Sequence, residues 1–441
     1  MAAFLSVRRG ALSAWGAVQA AALFVVAAGC DLMPPKPVHE SRAAKQSVRL
    51  DEVVRPADLF VDGKILLGSP SLTAGISGSG PLTLADVEVW LADPKNHEPL
   101  EFVLPLGLRS LAGEVKIPVD NPLTRAKIEL GRQLFVDPRL SGPGRNHACF
   151  HCHMPGKSYT GVDLAGDPAA GVPLRIPPSI LNRIFSEAQF WDGRRATLEA
   201  QVTDPIFSPY EMNSTPEALT AFLQQTPAYR RQFEVIFGEV SVDNAARALA
   251  AFVRNIVGGE SPYDFWAEVQ AWKDRDPATL SEAERNFAEK VRAFAAINPL
   301  SPTAQKGRDL FFGKAGCHAC HSGPNFTDEK YHNVGAGWSE PLADAGRERV
   351  TGRLEDRGAF KTPTLRNLRN SRRYMHDDHM ETLEEVVAWL SQGGTPNPHL
   401  DPLVKPLNLS PAEQKQLLAF LDALNGRVPN LALGRLPETA P

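Results

Sequence analysis

The chain has 441 residues, which is long enough for two or three domains with hydrophobic cores of their own. Hydrophobic residues make up 43% and charged residues 22%, the values of an ordinary soluble globular protein, so disorder along the whole chain is excluded. The mildly acidic net charge of −4 gives no reason to expect nucleic acid as a partner.

Residues 1–29 have the pattern of an export signal. Arg8 and Arg9 end a short basic region, an apolar run follows over residues 11–28, and small residues precede Cys30. This ending is similar to a bacterial lipoprotein signal, in which Cys30 is lipidated and becomes the mature N-terminus. The alternatives are an ordinary cleaved signal or an uncleaved anchor, because the run is nearly long enough to span a bilayer. Each of them sends the body of the protein across the inner membrane, so we predict a periplasmic protein that is lipid-anchored through Cys30.

Residues 30–118 are predicted to form a tether followed by a small accessory segment. The tether contains three prolines within four positions, and a Gly/Ser-rich stretch covers residues 75–80. Residues 81–91 have the apolar spacing of one short amphipathic helix. The sequence of this segment does not indicate its role.

Two copies of the pattern C-x-x-C-H organise the rest of the chain. Their residues are Cys149, Cys152 and His153 in the first copy, and Cys317, Cys320 and His321 in the second. In such a sequence the two thiols can add across the vinyl groups of a haem, and the histidine can ligate the iron. Four thiolates could instead form a zinc site or disulfides, but the pairs lie far apart and a histidine follows each at once. We therefore predict two covalently bound c-type haems.

The chain around the two motifs is predicted to be mainly α-helical. The stretch 131–135 before the first motif is echoed by 307–311 before the second, which indicates a duplicated domain. No alternating segment is long enough for a substantial sheet. Helical spacing of apolar residues, with a capping box in the last stretch, predicts helices over residues 123–135, 215–223, 242–257, 281–296 and 410–424. We expect two tandem cytochrome c-like haem domains, 119–298 and 299–441, preceded by the accessory segment.

From about Asn121 to Gly426 the chain resembles the bacterial di-haem cytochrome c peroxidases and their MauG-like relatives. The resemblance rests on both haem motifs and on three further stretches, residues 190–194, residues 201–212, and residues 363–367 with the following 374–377. It implies that the haem of the N-terminal domain cleaves peroxide, and that the haem of the C-terminal domain receives and stores electrons.

The resemblance also assigns roles to four residues of the first domain. It implies that Glu211 is the acid/base that moves a proton between the peroxide oxygens, with Gln201 and Pro205 lining the same distal pocket. Trp191 falls where the family keeps a tryptophan between the two haems, as an electron relay. Without the resemblance, Glu211 would be interpreted as a surface glutamate and Trp191 as an aromatic residue packed at a domain interface.

Two features depart from the peroxidases. Those enzymes have a histidine after the first haem motif that caps the resting iron, but no histidine lies between His153 and Trp191. The first haem is therefore expected to lack this cap, as in MauG-like proteins, and to accept peroxide without prior reduction. The distal ligand of the second haem, methionine in the peroxidases or tyrosine in MauG-like proteins, falls on Leu390, which cannot ligate iron. That haem is then five-coordinate, unless Met380 or His379 replaces the ligand.

The family further implies a calcium ion between the haem domains, with an asparagine among its ligands. The corresponding position is Ile176, which argues against calcium, because backbone carbonyls alone would hold the cation weakly. The implied function is the reduction of hydrogen peroxide to water with electrons from a small cytochrome c or cupredoxin. The alternatives are a MauG-like oxidant of a partner protein or organic substrate, a two-haem electron carrier without peroxide chemistry, and a haem-based sensor or subunit of a surface complex.

Overall fold

The computed structural model describes residues 64–161, 165–167, 172–339, 344–371 and 373–438. The predicted export signal, Cys30 and the predicted tether up to residue 63 lie outside the described residues. The chain divides into two units, residues 1–53 and 54–441, and every element named below belongs to the second. None of the described helices is both long and apolar enough to cross a membrane.

The described residues are mainly helical, as predicted, and their sheets are small. The α-helices are α1 (Pro70–Thr73), α2 (Leu84–Leu91), α3 (Arg125–Val136), α4 (Cys149–Cys152), α5 (Leu198–Gln201), α6 (Asp204–Phe207), α7 (Pro216–Gln225), α8 (Pro227–Phe237), α9 (Val242–Arg254), α10 (Pro262–Trp272), α11 (Glu282–Ile297), α12 (Pro302–Phe312), α13 (Glu348–Thr351), α14 (Leu383–Ser391) and α15 (Pro411–Asp422). The strands are β1 (Ile65–Leu66), β2 (Phe102–Val103), β3 (Ala165–Asp167), β4 (Val172–Arg175), β5 (Tyr331–His332) and β6 (Phe360–Lys361). They form three two-stranded sheets, with β1 parallel to β2, and with β3–β4 and β5–β6 antiparallel.

Side-chain caps fix the starts of the helices that the sequence predicts. Thr124, Thr215 and Ser281 each accept a backbone hydrogen bond at the starts of α3, α7 and α11. Ser410 and Glu413 form the predicted capping box of α15, because the Ser410 amide donates to the Glu413 carboxylate at 2.8 Å and the Glu413 amide donates to Ser410 Oγ at 3.3 Å. Among the longer helices, the structure adds α8, α10, α12 and α14 to the predicted ones.

A helix crossing explains the stretch that is repeated before the two haem motifs. α3 packs against α9, and α12 packs against α15. A Cβ atom at Gly131 would overlap the Ala248 carbonyl, and one at Gly307 would overlap the Gln416 carbonyl. The backbones approach so closely that each crossing requires glycine. Both halves of the chain therefore build the same helix pair around the same repeated residue.

We call residues 119–298 the first haem half and residues 299–441 the second haem half. The main hydrophobic core joins residues 64–118 to the first haem half. Helices α3, α7, α8 and α9 bury their apolar faces in one cluster with five leucines of this segment, Leu67, Leu72, Leu104, Leu108 and Leu111. Helix α2, which confirms the helix predicted within residues 81–91, packs against α8. A second core surrounds Phe311 and Phe420, where α12 crosses α15.

The C-terminal tail returns from α15 to the first half of the chain. The Tyr159 hydroxyl donates to the Pro429 carbonyl at 2.9 Å. The fully buried Arg132 donates from Nη1 to the Leu433 carbonyl at 2.7 Å. Since α15 closes the second core, the tail ties that core to the first haem half.

Candidate active site

The first haem motif lies on one turn of helix with its histidine at the end. Cys149 and Cys152 open and close α4, and His153 follows directly. No disulfide joins the described cysteines, and burial raises the pKa of Cys149 to about 12. His153 Nδ1 donates to the Tyr159 carbonyl at 3.1 Å, which orients the ring and leaves Nε2 for a metal. Burial lowers the pKa of His153 to about 4, so the imidazole is neutral, as a metal ligand must be.

His153 lines a cavity of about 420 Å³. Four other predicted residues line the same cavity, Trp191, Gln201, Pro205 and Glu211. The volume is that of an ordinary cofactor pocket, and the attachment cysteines lie on the helical turn that ends at His153. The cavity therefore fits a haem that His153 would ligate and that Cys149 and Cys152 would hold covalently. The resemblance predicted that these residues converge, and the structure brings all of them to one cavity.

The distal residues are positioned by two short helices and a turn. Gln201 ends α5, Pro205 lies in α6, and Glu211 lies in the turn after α6, where the Met212 amide donates to the Pro205 carbonyl at 3.1 Å. Burial raises the pKa of Glu211 above its ordinary value, although a hydrogen bond with Ser208 opposes the shift. A carboxyl group with a raised pKa can both give and take a proton closer to neutral pH, which suits an acid/base.

A tight turn over residues 190–194 positions Trp191. Gly193 adopts a left-handed conformation with φ of 70°, which favours glycine at this position. Asp192 is buried, and its carboxylate accepts hydrogen bonds from Arg175 at 2.6 Å and from Arg194 at 3.1 Å. Although burial opposes the change, these two cations hold the pKa of Asp192 below its ordinary value. The carboxylate therefore stabilises the turn that carries Trp191.

Trp191 contacts the C-terminal half of the chain as well as the cavity. Its Nε1 donates to the Ile176 carbonyl at 2.8 Å, and its ring lies edge-on to His376 with 6.4 Å between centroids. His376 is buried and stacks on Phe360 at 3.5 Å. Ile176, the position that the resemblance assigns to a calcium ligand, thus uses its carbonyl to hold the indole.

The second haem motif is supported in the same way as the first. His321 Nδ1 donates to the Phe326 carbonyl at 3.1 Å, and burial lowers the pKa of His321. Phe326 has a left-handed φ of 53°, and Tyr159 at the first site has a φ of 56°. Neither supporting residue was predicted from the sequence. The available signal was weak, an aromatic residue six positions after His153 and five after His321.

The predicted replacements for the second distal ligand lie in a hairpin after the second motif. The Tyr374 amide donates to the Met380 carbonyl at 2.9 Å, and the Met380 side chain is buried. His379 Nδ1 and Asp377 Oδ1 are 2.6 Å apart. Leu390 is half-buried on α14. Neither Leu390 nor the two candidates line the cavity with Glu211, and the ligand stays a prediction.

Known proteins similar to this chain include MauG proteins and cytochrome c peroxidases. A family model described as di-haem cytochrome c peroxidase matches residues 125–271. Methylamine utilization protein MauG from Methylorubrum extorquens is 36% identical over 325 residues, which cover 73% of this chain and 84% of that protein. Cytochrome c551 peroxidase from Nitrosomonas europaea is 32% identical over 317 residues, which cover 70% of this chain and 83% of that protein.

One solved structure supports the same likeness. It is the crystal structure of a MauG-like protein associated with microbial copper homeostasis, with a TM-score of 0.57 and 28% sequence identity. The match covers 71% of this chain and 93% of that protein.

Proposed function

This chain belongs to the di-haem cytochrome c peroxidase family, and we propose that it is a periplasmic peroxidase that reduces hydrogen peroxide to water. The family carries two covalently bound c-type haems, and this chain has both attachment motifs. The observation that carries the proposal is the convergence of Gln201 and Glu211 on the cavity lined by His153. An electron carrier has no need for an amide and a carboxyl group on the wall of that cavity.

The proposed reaction consumes one hydrogen peroxide, two electrons and two protons, and it gives two waters. When bound, the haem would be held by Cys149, Cys152 and His153, and it would supply an iron that can bind peroxide. Glu211 takes the proton from one peroxide oxygen and returns it to the other, so that the O–O bond breaks and water leaves. The Gln201 amide can donate a hydrogen bond in the same cavity and orient the peroxide.

Trp191 is proposed to carry electrons into this cavity. Its indole lines the cavity and also contacts His376 of the C-terminal half. The electrons would come one at a time from a small cytochrome c or cupredoxin, through the haem held by Cys317, Cys320 and His321.

The test is Glu211→Gln in the holoprotein, with Glu217→Gln as the matched control. Glu217 is exposed in the first turn of α7 and does not line the cavity. Steady-state peroxide reduction should fall about 10²–10⁴-fold in Glu211→Gln, since positioned proton transfer contributes that much. Glu217→Gln should match the wild type. Unchanged turnover in Glu211→Gln, with both haems loaded, would favour the electron carrier.

A MauG-like oxidant of a partner protein or organic substrate is the second candidate. The absence of a histidine between His153 and Trp191 favours it, because the first haem would then need no reductive activation. Electron paramagnetic resonance of the oxidised protein tests this point. A high-spin signal that one equivalent of peroxide converts without reduction supports an uncapped iron. Two low-spin signals that stay inert until one haem is reduced would mean that another residue caps it.

The lipid anchor at Cys30 is part of the same proposal. The mature protein should begin at Cys30 with lipid attached, which mass spectrometry of the N-terminal peptide measures. An ordinary cleaved signal predicts a mature N-terminus without lipid, and an uncleaved anchor predicts that residues 1–29 are retained.

A further inference from the structure

Two cations, the half-buried Arg183 and the buried Lys361, lie on the wall of the cavity that Glu211 also lines. Arg183 donates from Nε and Nη2 to Gln189 Oε1 and from Nη2 to the Ala188 carbonyl at 2.9 Å, and among the described residues it makes no ion pair. Lys361 has only 5% of its side chain exposed; its Nζ donates to the same Ala188 carbonyl and lies 3.1 Å from Glu329 Oε2. The Ala188 carbonyl thus accepts hydrogen bonds from both cations.

The charges around this pair do not balance. One carboxylate, that of Glu329, attracts both Arg183 and Lys361. Its Oε1 atom accepts a hydrogen bond from the Ser186 hydroxyl at 2.9 Å. Three other arginines of the wall each lie within 4 Å of a carboxylate, Arg175, Arg194 and Arg373. At Arg183 and Lys361, by contrast, two cations face one carboxylate, which leaves an excess of one positive charge at this place.

An uncompensated charge inside a protein is costly, and proteins normally neutralise or pair it. The effect is visible at Lys361, where burial, followed by the nearby Arg183, lowers the pKa to about 7. An anion in the cavity would keep the ammonium group charged and would use hydrogen-bond capacity that the protein leaves open. Charge-assisted hydrogen bonds to a carboxylate are the strongest that these two side chains can form.

We propose that Arg183 and Lys361 form an anion site for a propionate carboxylate of the haem held by Cys149, Cys152 and His153. The propionates are the anionic groups of that cofactor, and the cavity that His153 lines also contains both cations. Arg183 lies in the first half of the chain and Lys361 lies on β6 in the second, so the propionate joins the two halves. The site belongs to cofactor binding and would be present in a peroxidase, a MauG-like enzyme or a carrier alike.

The test measures the holoprotein by redox titration and by the propionate bending band in resonance Raman spectra. Arg183→Gln and Lys361→Met each remove a cation that stabilises the added electron, so the midpoint potential of one haem should fall. A tenfold change in the ferric-to-ferrous ratio corresponds to 59 mV, and we expect at least that in each variant. The propionate band should shift in both. Arg183→Lys, which keeps the charge, should retain most of the potential.

Two further variants separate a propionate contact from a general effect of charge or folding. Glu329→Gln removes the opposing carboxylate and should raise the same potential, which a loss of folding would not do. Arg230→Gln, on the exposed surface of α8, should change neither the potential nor the band. Haem content, measured for each variant, verifies that both haems are attached.

Three outcomes would overturn the proposal. The first is a wild-type potential in both Arg183→Gln and Lys361→Met. The second is a lower potential with an unmoved propionate band, which would mean that the cations act without contact. The third is a wild-type potential that varies with chloride or phosphate concentration and loses this dependence in the variants, which would assign the site to a free anion.

Discussion

A buried ion pair joins Arg366 of the second haem half to Asp264, and its removal tests how much this pair stabilises the fold. Arg366 Nη1 lies 2.8 Å from Asp264 Oδ2 and Nη2 lies 2.9 Å from Oδ1, with 1% and 2% of the two side chains exposed. Asp264 also accepts from the Ser261 amide at 2.8 Å, as part of the capping box that starts α10. Arg366→Met removes the cation and keeps much of the side-chain volume. The carboxylate is then left buried without its partner.

The expected loss is about 3–5 kcal/mol of unfolding free energy, the cost of breaking one side of a buried ion pair. The matched control is Arg369→Met, three residues further along the chain. Arg369 pairs with Asp422, but 59% and 53% of these side chains are exposed, so its removal should cost about 0–1 kcal/mol. Two arginine-to-methionine changes in one loop should therefore differ by several kcal/mol.

The dependence on pH gives a second check with a defined sign. Although burial opposes it, Arg366 holds the pKa of Asp264 below its ordinary value, so in the wild type this stability is present above the unfolded pKa of about 3.9 and is lost as pH falls. In Arg366→Met the pKa of the buried acid should rise above that of the unfolded chain, and the native state should lose stability as pH rises from the unfolded pKa of about 3.9 to that raised value. The difference between the two proteins should be large at pH 7 and should shrink toward pH 4.

The assay is guanidinium unfolding at pH 7 and at pH 4.5, followed by far-ultraviolet circular dichroism and by the haem absorption band. Arg366→Met should unfold at lower denaturant than Arg369→Met at pH 7, with the gap narrowing at pH 4.5. An unfolding free energy of Arg366→Met within 1 kcal/mol of the wild type at pH 7 would show that the cation of Arg366 does not stabilise the buried Asp264 carboxylate. So would equal losses in the two variants.

Three further changes have definite expected results. Tyr159→Phe removes the hydrogen bond to Pro429, and it should cost about 0.5–1.5 kcal/mol in denaturant unfolding and alter the haem spectrum at His153. Leu390→Met should convert a five-coordinate second haem to a six-coordinate, low-spin one in the paramagnetic resonance spectrum. Gly307→Ala should lower stability by about 1–3 kcal/mol in thermal unfolding, because a Cβ atom overlaps the crossing helix.

Local signals in the sequence predicted much of the helical fold. Helix α15 carries its own start signal in Ser410 and Glu413, and the structure places its first residue next to this cap. The C-terminal tail has no such signal. Its position depends on partners such as Tyr159, which lies 270 residues before Pro429. Contacts of this kind are decided by tertiary packing and leave no local periodicity to detect.

The residues of the candidate site also differ in whether the sequence could predict them. Trp191, Gln201 and Glu211 lie within 21 positions of one another, in stretches similar to a known family, so the sequence could predict that they act together. Arg183 and Lys361 carry no motif, and 178 positions separate them. A lysine or arginine is most often a solvated surface charge. Only burial on a shared cavity wall indicates that these two have a ligand.

At both haem sites a backbone carbonyl orients the histidine of the motif, but different contacts hold the residue that offers the carbonyl. In both, a left-handed residue offers its carbonyl to the histidine that follows the cysteines, Tyr159 to His153 and Phe326 to His321. The Phe326 ring packs under the guanidinium of Arg366 at 5.5 Å, whereas the Tyr159 hydroxyl is held by the C-terminal tail. Loss of Arg366 should therefore disturb the second haem more than the first, and loss of the Tyr159 hydroxyl should do the reverse. Because the tail begins after α15, which closes the second core, the second half of the chain takes part in holding the histidine at which we place the peroxide chemistry.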